Sequence, residues 1–123
     1  MTVIPTFHCG GRCAEVIELY RRAFDLQVDF QQRDDATGLI RHTEARIGAQ
    51  RVRLSDGGAE RGAAYADALF LAVTFDTTAE VERVFDILAE GGTAIQRPHA
   101  APFAACMSEV RDCFGFRWFL MVD

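Results

Sequence analysis

The segment Ala14-Glu15-Val16-Ile17-Glu18-Leu19-Tyr20 returns in altered form as Ala79-Glu80-Val81-Glu82-Arg83-Val84-Phe85. In a chain of 123 residues, such a recurrence predicts one structural unit used twice, with two halves that build a shared concavity. The surroundings of each copy agree with this. Before the first copy, residues 3 to 8 alternate β-branched and aromatic types and read as a strand ending at Gly10-Gly11. Cys13, Val16, Ile17, Tyr20 and Phe24 then recur at steps of three and four, one apolar stripe of a helix over about 12–24. Three strands follow, Val28 to Arg33, Leu39 to Ile47 and Arg51 to Ser55, broken by Asp34-Asp35-Ala36-Thr37-Gly38 and Gly48-Ala49.

The pattern restarts after a Gly-, Ala- and charge-rich stretch from Asp56 to Asp67, which suits a connecting loop. Leu69 to Phe75 is an apolar strand. Thr77 with Glu80 forms a capping-box pattern before a helix carrying Val81, Val84, Phe85 and Leu88, and Gly91-Gly92 stops it. Strands are expected over Ala94 to Arg97, Cys106 to Arg111 and Arg117 to Val122. Arg97 to Phe103, with two prolines, reads as irregular. Each half is therefore β-α-β-β-β. The expectation is a single α+β domain over 1–123, with module 1 over about 1–56, a linker over about 57–67 and module 2 over about 68–123.

Composition excludes several classes. Half the residues are apolar, enough for one sizeable core, and the formal net charge of −5 comes with scattered Arg. There is no basic stripe for phosphates, so nucleic acid is not an expected partner. No apolar run approaches the ~20 residues that span a bilayer, and the start lacks the pattern of a signal peptide. The expected location is the cytoplasm, with no membrane partner. Cys9, Cys13, Cys106 and Cys113 are expected as reduced thiols, since a reducing compartment and a full core remove the need for disulfides. The Cys9-x-x-x-Cys13 spacing is looser than a zinc knuckle. A G-x-S-x-G elbow, a P-loop and a dinucleotide fingerprint are absent.

Phe7-His8-Cys9-Gly10-Gly11-Arg12-Cys13-Ala14 running into Ile17-Glu18-Leu19-Tyr20, Ile47-Gly48-Ala49 before Val52-Arg53-Leu54-Ser55-Asp56, and Asp112-Cys113-Phe114-Gly115-Phe116-Arg117-Trp118 together carry a resemblance over nearly the whole chain. The sequence resembles the glyoxalase/bleomycin-resistance, or vicinal-oxygen-chelate, superfamily in its PhnB-like (demethylubiquinone-methyltransferase-like) branch. The resemblance implies two tandem βαβββ modules forming a curled mixed sheet around a cup, and a homodimer. Metal-dependent members place a His in the first strand of each module and a carboxylate in the last. By pattern, and to within a residue or two, those positions fall near Ile4, Arg53, Phe70 and Phe119. None is a metal-ligand type, so neither metal nor other cofactor is expected. The methyltransferase label has no Gly-rich methyl-donor site behind it.

Strand parity tests the mapping. With Arg53, Phe70 and Phe119 facing the cup, Val52, Leu54, Leu71, Val73, Phe75, Trp118, Leu120 and Val122 face the helices, and all are apolar. The cup wall then holds Ile4, Thr6, His8, Arg51, Arg53, Ser55, Phe70, Ala72, Thr74, Arg117, Phe119 and Met121. Such a mixed wall suits a small organic ligand that is planar and partly apolar, such as an antibiotic or secondary metabolite. The expected ligand contacts are Thr6, His8, Arg53, Phe70, Ala72, Phe103, Phe119 and Met121. Catalytic residues are not assigned.

Five features keep two readings each. His42 and Glu44 form either an acid/base or metal pair, or a salt-bridged strand edge near Arg46. His8 is a displaced ligand or general base, or a hydrogen-bonded strand end, and His99 contacts ligand or sits in a plain surface loop. Phe103, Phe114 and Phe116 stack on ligand or belong to the core. Arg53 must find an anion, either Glu44 or Glu109 within the protein or a bound ligand. The competing function is a metal-dependent lyase, isomerase, dioxygenase or thiol transferase with ligands displaced to His8, His42 or Glu44.

Overall fold

A computed structural model describes residues 1–57 and 69–123. The chain divides into two compact units, Met1–Ala63 and Ala64–Asp123. Apart from Asp56 and Gly57, the connecting loop expected from Asp56 to Asp67 lies outside the described residues. The fold is α+β, with a β-α-β-β-β module in each unit.

In the first module, β1 (Thr6–His8) leads into α1 (Cys13–Phe24), followed by β2 (Gln27–Arg33), β3 (Ile40–Ile47) and β4 (Gln50–Ser55). The sheet order is β1-β4-β3-β2, with β1 parallel to β4 and the other pairs antiparallel. β1 is shorter than the expected 3–8. Pro5 has no N–H to extend the ladder, although its carbonyl still accepts from Arg53 N at 2.9 Å. Val3 is left 82% exposed, so Ile4 is not a strand residue. On the helix side, Phe7, Ala45, Val52 and Leu54 are buried beside Val16, Ile17 and Tyr20, and Tyr20 meets Phe7 edge-on at 5.6 Å.

No side chain at Arg12 caps α1. The buried carboxylate of Asp56 replaces it, accepting from Cys13 N at 2.8 Å and from Ile40 N at 2.7 Å. An orphan helix donor and the first amide of β3 thus share one anion, which also complements the helix dipole. Reading Asp56 as the start of a loop missed this role. At the other end Asp25 takes the left-handed conformation (φ 53°), and Leu26 N donates back to Tyr20 O.

The second module repeats the order with β5 (Leu71–Thr74), α2 (Thr78–Ala89), β6 (Thr93–Ala101), β7 (Ala104–Arg111) and β8 (Arg117–Val122), arranged β5-β8-β7-β6. Thr77 caps α2 by accepting from Glu80 N, and its hydroxyl donates to the Glu80 carboxylate. Val81, Val84, Phe85 and Leu88 are buried, as are Val110, Trp118 and Leu120 on the sheet. Gly91 ends the helix at φ 71°, and a Cβ on Gly92 would lie 2.3 Å from Arg111 O. Only glycine lets the chain pass the end of β7 that closely.

β6 corrects the reading of Arg97 to Phe103 as irregular. The strand continues through Pro98 and His99 to Ala101, with register shifts along its pairing to β7. An edge strand tolerates proline, and bulges absorb the lost ladder bond. Pro102 and Phe103 form the two-residue turn into β7.

The ending Asp112 to Trp118 also has a structural explanation. Asp112 is buried, and its carboxylate accepts from Phe114 N (3.0 Å), Phe116 N (3.1 Å) and Trp118 Nε1 (3.1 Å). Gly115 sits at φ 94°, where a side chain would be strained. One anion thereby closes the β7–β8 turn and anchors the buried indole.

The ladders make the modules comparable residue by residue. Cys9 N donates to Ser55 O as Phe75 N donates to Met121 O. Thr6 pairs with Arg53 as Ala72 pairs with Phe119, and Glu44 opposes Arg53 as Glu109 opposes Phe119. Arg46 opposes Arg51 as Arg111 opposes Arg117.

Candidate ligand-binding faces

In the first module, the sheet face turned from α1 carries Thr6, His8, His42, Glu44, Arg51, Arg53 and Ser55, because each lies opposite or two residues from the next along paired strands. The intervening Phe7, Thr43, Val52 and Leu54 are buried. Expected contacts Thr6, His8 and Arg53 therefore share one face. Glu44 is its hub. Its Oε1 accepts from Arg53 Nε at 2.8 Å and faces His42 Nε2 at 3.0 Å, while Arg51 Nη2 reaches its Oε2 at 3.5 Å. Because a carboxylate only accepts, the proton between it and His42 belongs on Nε2.

Arg53, and after it the hydrogen bond from His42, holds the Glu44 carboxyl below its ordinary value. Of the two partners weighed for Arg53, the structure selects Glu44. Arg46, placed beside the His42–Glu44 pair in the sequence reading, instead grips Asp29 with two 2.8 Å bonds and holds that carboxyl down as well. Phe30 pairs across the ladder with Glu44, is 55% exposed, and stands 6.4 Å from the His42 ring. Sequence reading passed over Phe30, although an aromatic flanked by Asp29 and Gln31 on an edge strand was a usable signal.

In the second module, Ala72, Thr74, Phe119 and Met121 share the face turned from α2, across paired strands. Phe70, just before β5, tilts its ring against Phe119 at 6.1 Å, and the Arg117 guanidinium lies 5.5 Å from the Phe70 centroid. Arg117 is ion-paired with Glu109, which also accepts from Gln96 Nε2 at 3.4 Å. Phe103 is 64% exposed in the β6–β7 turn, outside the paired ladder. Phe114 and Phe116 belong to the Asp112 turn and are half-buried. His99 is exposed, its Nδ1 donating to Arg97 O at 2.7 Å. The Glu109–Arg117 pair escaped sequence reading because the β7–β8 turn is longer than the β3–β4 turn, hiding its likeness to Glu44 and Arg51.

The ladders show which residues pair near the positions that the resemblance assigns to metal ligands. The residue opposite Arg53 in β1 is Thr6, not Ile4, and the residue opposite Phe119 in β5 is Ala72, not Phe70. Each shift is two residues, which preserves parity. Neither Ile4, Arg53, Phe70 and Phe119 nor the ladder partners Thr6 and Ala72 supply imidazole, carboxylate or thiolate, so these residues do not fit the usual metal. Among the described residues, no group of three or more His, Cys, Asp or Glu is placed to hold a metal ion.

All four cysteines are free thiols. Cys9 and Cys13 are neighbours at the β1–α1 junction. The hydrogen bond between them raises the Cys9 thiol, with burial adding to it, and lowers that of Cys13. Burial raises Cys106. Among the described residues no helix is long and apolar enough to cross a membrane.

No curated protein matches the chain. Among solved structures, a putative 3-demethylubiquinone-9 3-methyltransferase, a PhnB protein from Bacillus cereus, is 22% identical with TM-score 0.90 and full coverage of both chains. TioX from Micromonospora sp. ML1 is 18% identical with TM-score 0.68, covering 100% of this chain and 96% of its own. The fosfomycin resistance protein FosX from Listeria monocytogenes, solved with Mn(II) and sulfate, is 10% identical with TM-score 0.71, covering 100% and 92%. At these identities the likeness is one of fold. The family model for the Glyoxalase/Bleomycin resistance protein/Dioxygenase superfamily matches residues 6–120, and the chain belongs to that superfamily.

Proposed function

We propose that this chain is a small-molecule-binding member of its superfamily that works without the usual metal. It binds or sequesters a planar, partly apolar organic compound such as an antibiotic or secondary metabolite, as a cytoplasmic homodimer. The observation that carries the reading is the residue content of the ligand-bearing strand positions. Near Ile4, Arg53, Phe70 and Phe119, where the resemblance puts the imidazole and carboxylate ligands of metal-dependent members, this chain has no metal-ligand type, and within the second module Phe70 and Phe119 form an aromatic surface under the Arg117 guanidinium. Exposed aromatic faces with a few fixed polar groups are the composition of small-molecule sites. The proposed contacts are Thr6, His8 and Arg53 on the face of the first module, and Phe70, Ala72, Phe119 and Met121 on that of the second. Phe103 is the hairpin-tip contact.

Trp118 is a poor reporter for this binding, because its indole is buried on the helix side of β8 and bonded to Asp112. Calorimetry or ligand-observed NMR with a panel of planar aromatics is the direct test. Binding of at least one compound, weakened about tenfold in Phe119→Ala through loss of stacking, supports the reading. Stoichiometric Zn, Ni, Mn or Fe in protein purified without a metal-chelating tag, with turnover that chelation abolishes, overturns it in favour of a metal-dependent enzyme using His8, His42 or Glu44.

A further inference from the structure

The duplication supplies an internal control for the charges on the first module's face. Glu109 in β7 and Arg117 in β8 form a close ion pair, with side chains only 14% and 22% exposed. Their counterparts are Glu44 and Arg51, but there the residue opposite the carboxylate is Arg53 where the second module has Phe119. Arg53 takes Glu44 at 2.8 Å, His42 takes the same oxygen at 3.0 Å, and Arg51 is held off at 3.5 Å with 53% of its side chain exposed. Two guanidinium groups and an imidazole thus share one carboxylate. The neighbouring Arg46 adds no free charge, being neutralised by Asp29. This face carries a local positive excess in a chain whose net charge is −5.

Among the described residues Arg51 has one ion-pair partner, and that partner is already engaged by a better-placed donor. A guanidinium so placed, with planar donors directed from an ordered strand, favours an oxyanion that accepts two N–H bonds. Phe30 opposes Glu44 in the ladder and offers an exposed ring beside the same cluster. We propose that Arg51 is the anion-binding residue of the first module and that the ligand is an aromatic acid, its carboxylate or phosphate on Arg51 with Arg53 alongside and its ring against Phe30. The proposal rests on the small-molecule-binding reading and narrows its ligand class.

The test uses the whole protein and three probes of one ring size: 2-naphthoate, 2-naphthyl phosphate and neutral 2-naphthamide, titrated by calorimetry at low and high salt. At least one acid is expected to bind about tenfold or more tighter than the amide, with the preference shrinking as salt rises. The naphthoate and the phosphate separate the two oxyanion chemistries. Arg51→Gln is expected to erase the preference while leaving amide binding in place. Glu44→Gln, which removes the competing carboxylate, is expected to increase it, and circular dichroism verifies the fold of both variants. Equal binding of acids and amide overturns the anion site but leaves the small-molecule reading standing. An acid preference unchanged in Arg51→Gln overturns the assignment to Arg51, and failure of all three probes in the parent overturns the proposed ligand class.

Discussion

Glu44 concentrates the electrostatics of the first module, and its titration follows from its neighbours. Arg53 first, then His42 and Arg51, favour the carboxylate over the acid. Its folded value lies below the ordinary 4.5, so the stabilisation it provides is present above about 4.5 and is lost as pH falls through the lowered folded value. Carbon-detected NMR should show the Glu44 carboxyl titrating below an unperturbed glutamate, and Arg53→Ala should move it upward. An unchanged titration in the variant would show that Arg53 is not its main partner. The Arg53 side chain is 39% exposed, so solvent and salt weaken the effect. That Arg53 needed an anion was readable from strand parity. Which anion it meets depended on hairpin register, which single-chain patterning leaves open until the turn length is known.

Element boundaries show where local pattern is informative and where it is not. β8 falls on Arg117–Val122 as the alternation predicts, and both helices fall on their apolar stripes, because burial on one face writes a period directly into the sequence. β6 was misread because two prolines outweighed its pairing partner, and a bulged edge strand leaves no strict period. Asp56 and Asp112 were unreadable as anchors. The first reaches back 43 residues to Cys13, and the second acts through the amides of Phe114 and Phe116 and the Trp118 indole, contacts set by the conformation of the turn. The end of α2 is a tight junction, and Gly91-Gly92 was legible there as a stop but not as a close approach. Gly92→Ala places a methyl against Arg111 O and Leu88 O and should cost about 1–3 kcal/mol, the range for overpacking. Urea unfolding would measure it, and a neutral result would mean the α2–β6 junction yields easily.

Across the whole chain, two modules share one ladder pattern and differ in what they display. The carboxylate at 44 recurs at 109 and the arginine at 51 recurs at 117, whereas Arg53 answers to Phe119. Arg53→Phe should leave the urea midpoint close to the parent, because this position faces away from the buried layer and Arg51 stands ready to take Glu44 as Arg117 takes Glu109. The same substitution should abolish any preference for anionic over neutral aromatics. A large loss of stability would show that Arg53 supports the sheet and not only its surface. The repeated architecture was legible from the Ala-Glu-Val helices, but this residue-level correspondence required the registers. Its consequence concerns inheritance: each half keeps its own copy of the scaffold, so a single codon on the outer side of a last strand can retune one half's chemistry while the other half and both cores pass unchanged to the next generation.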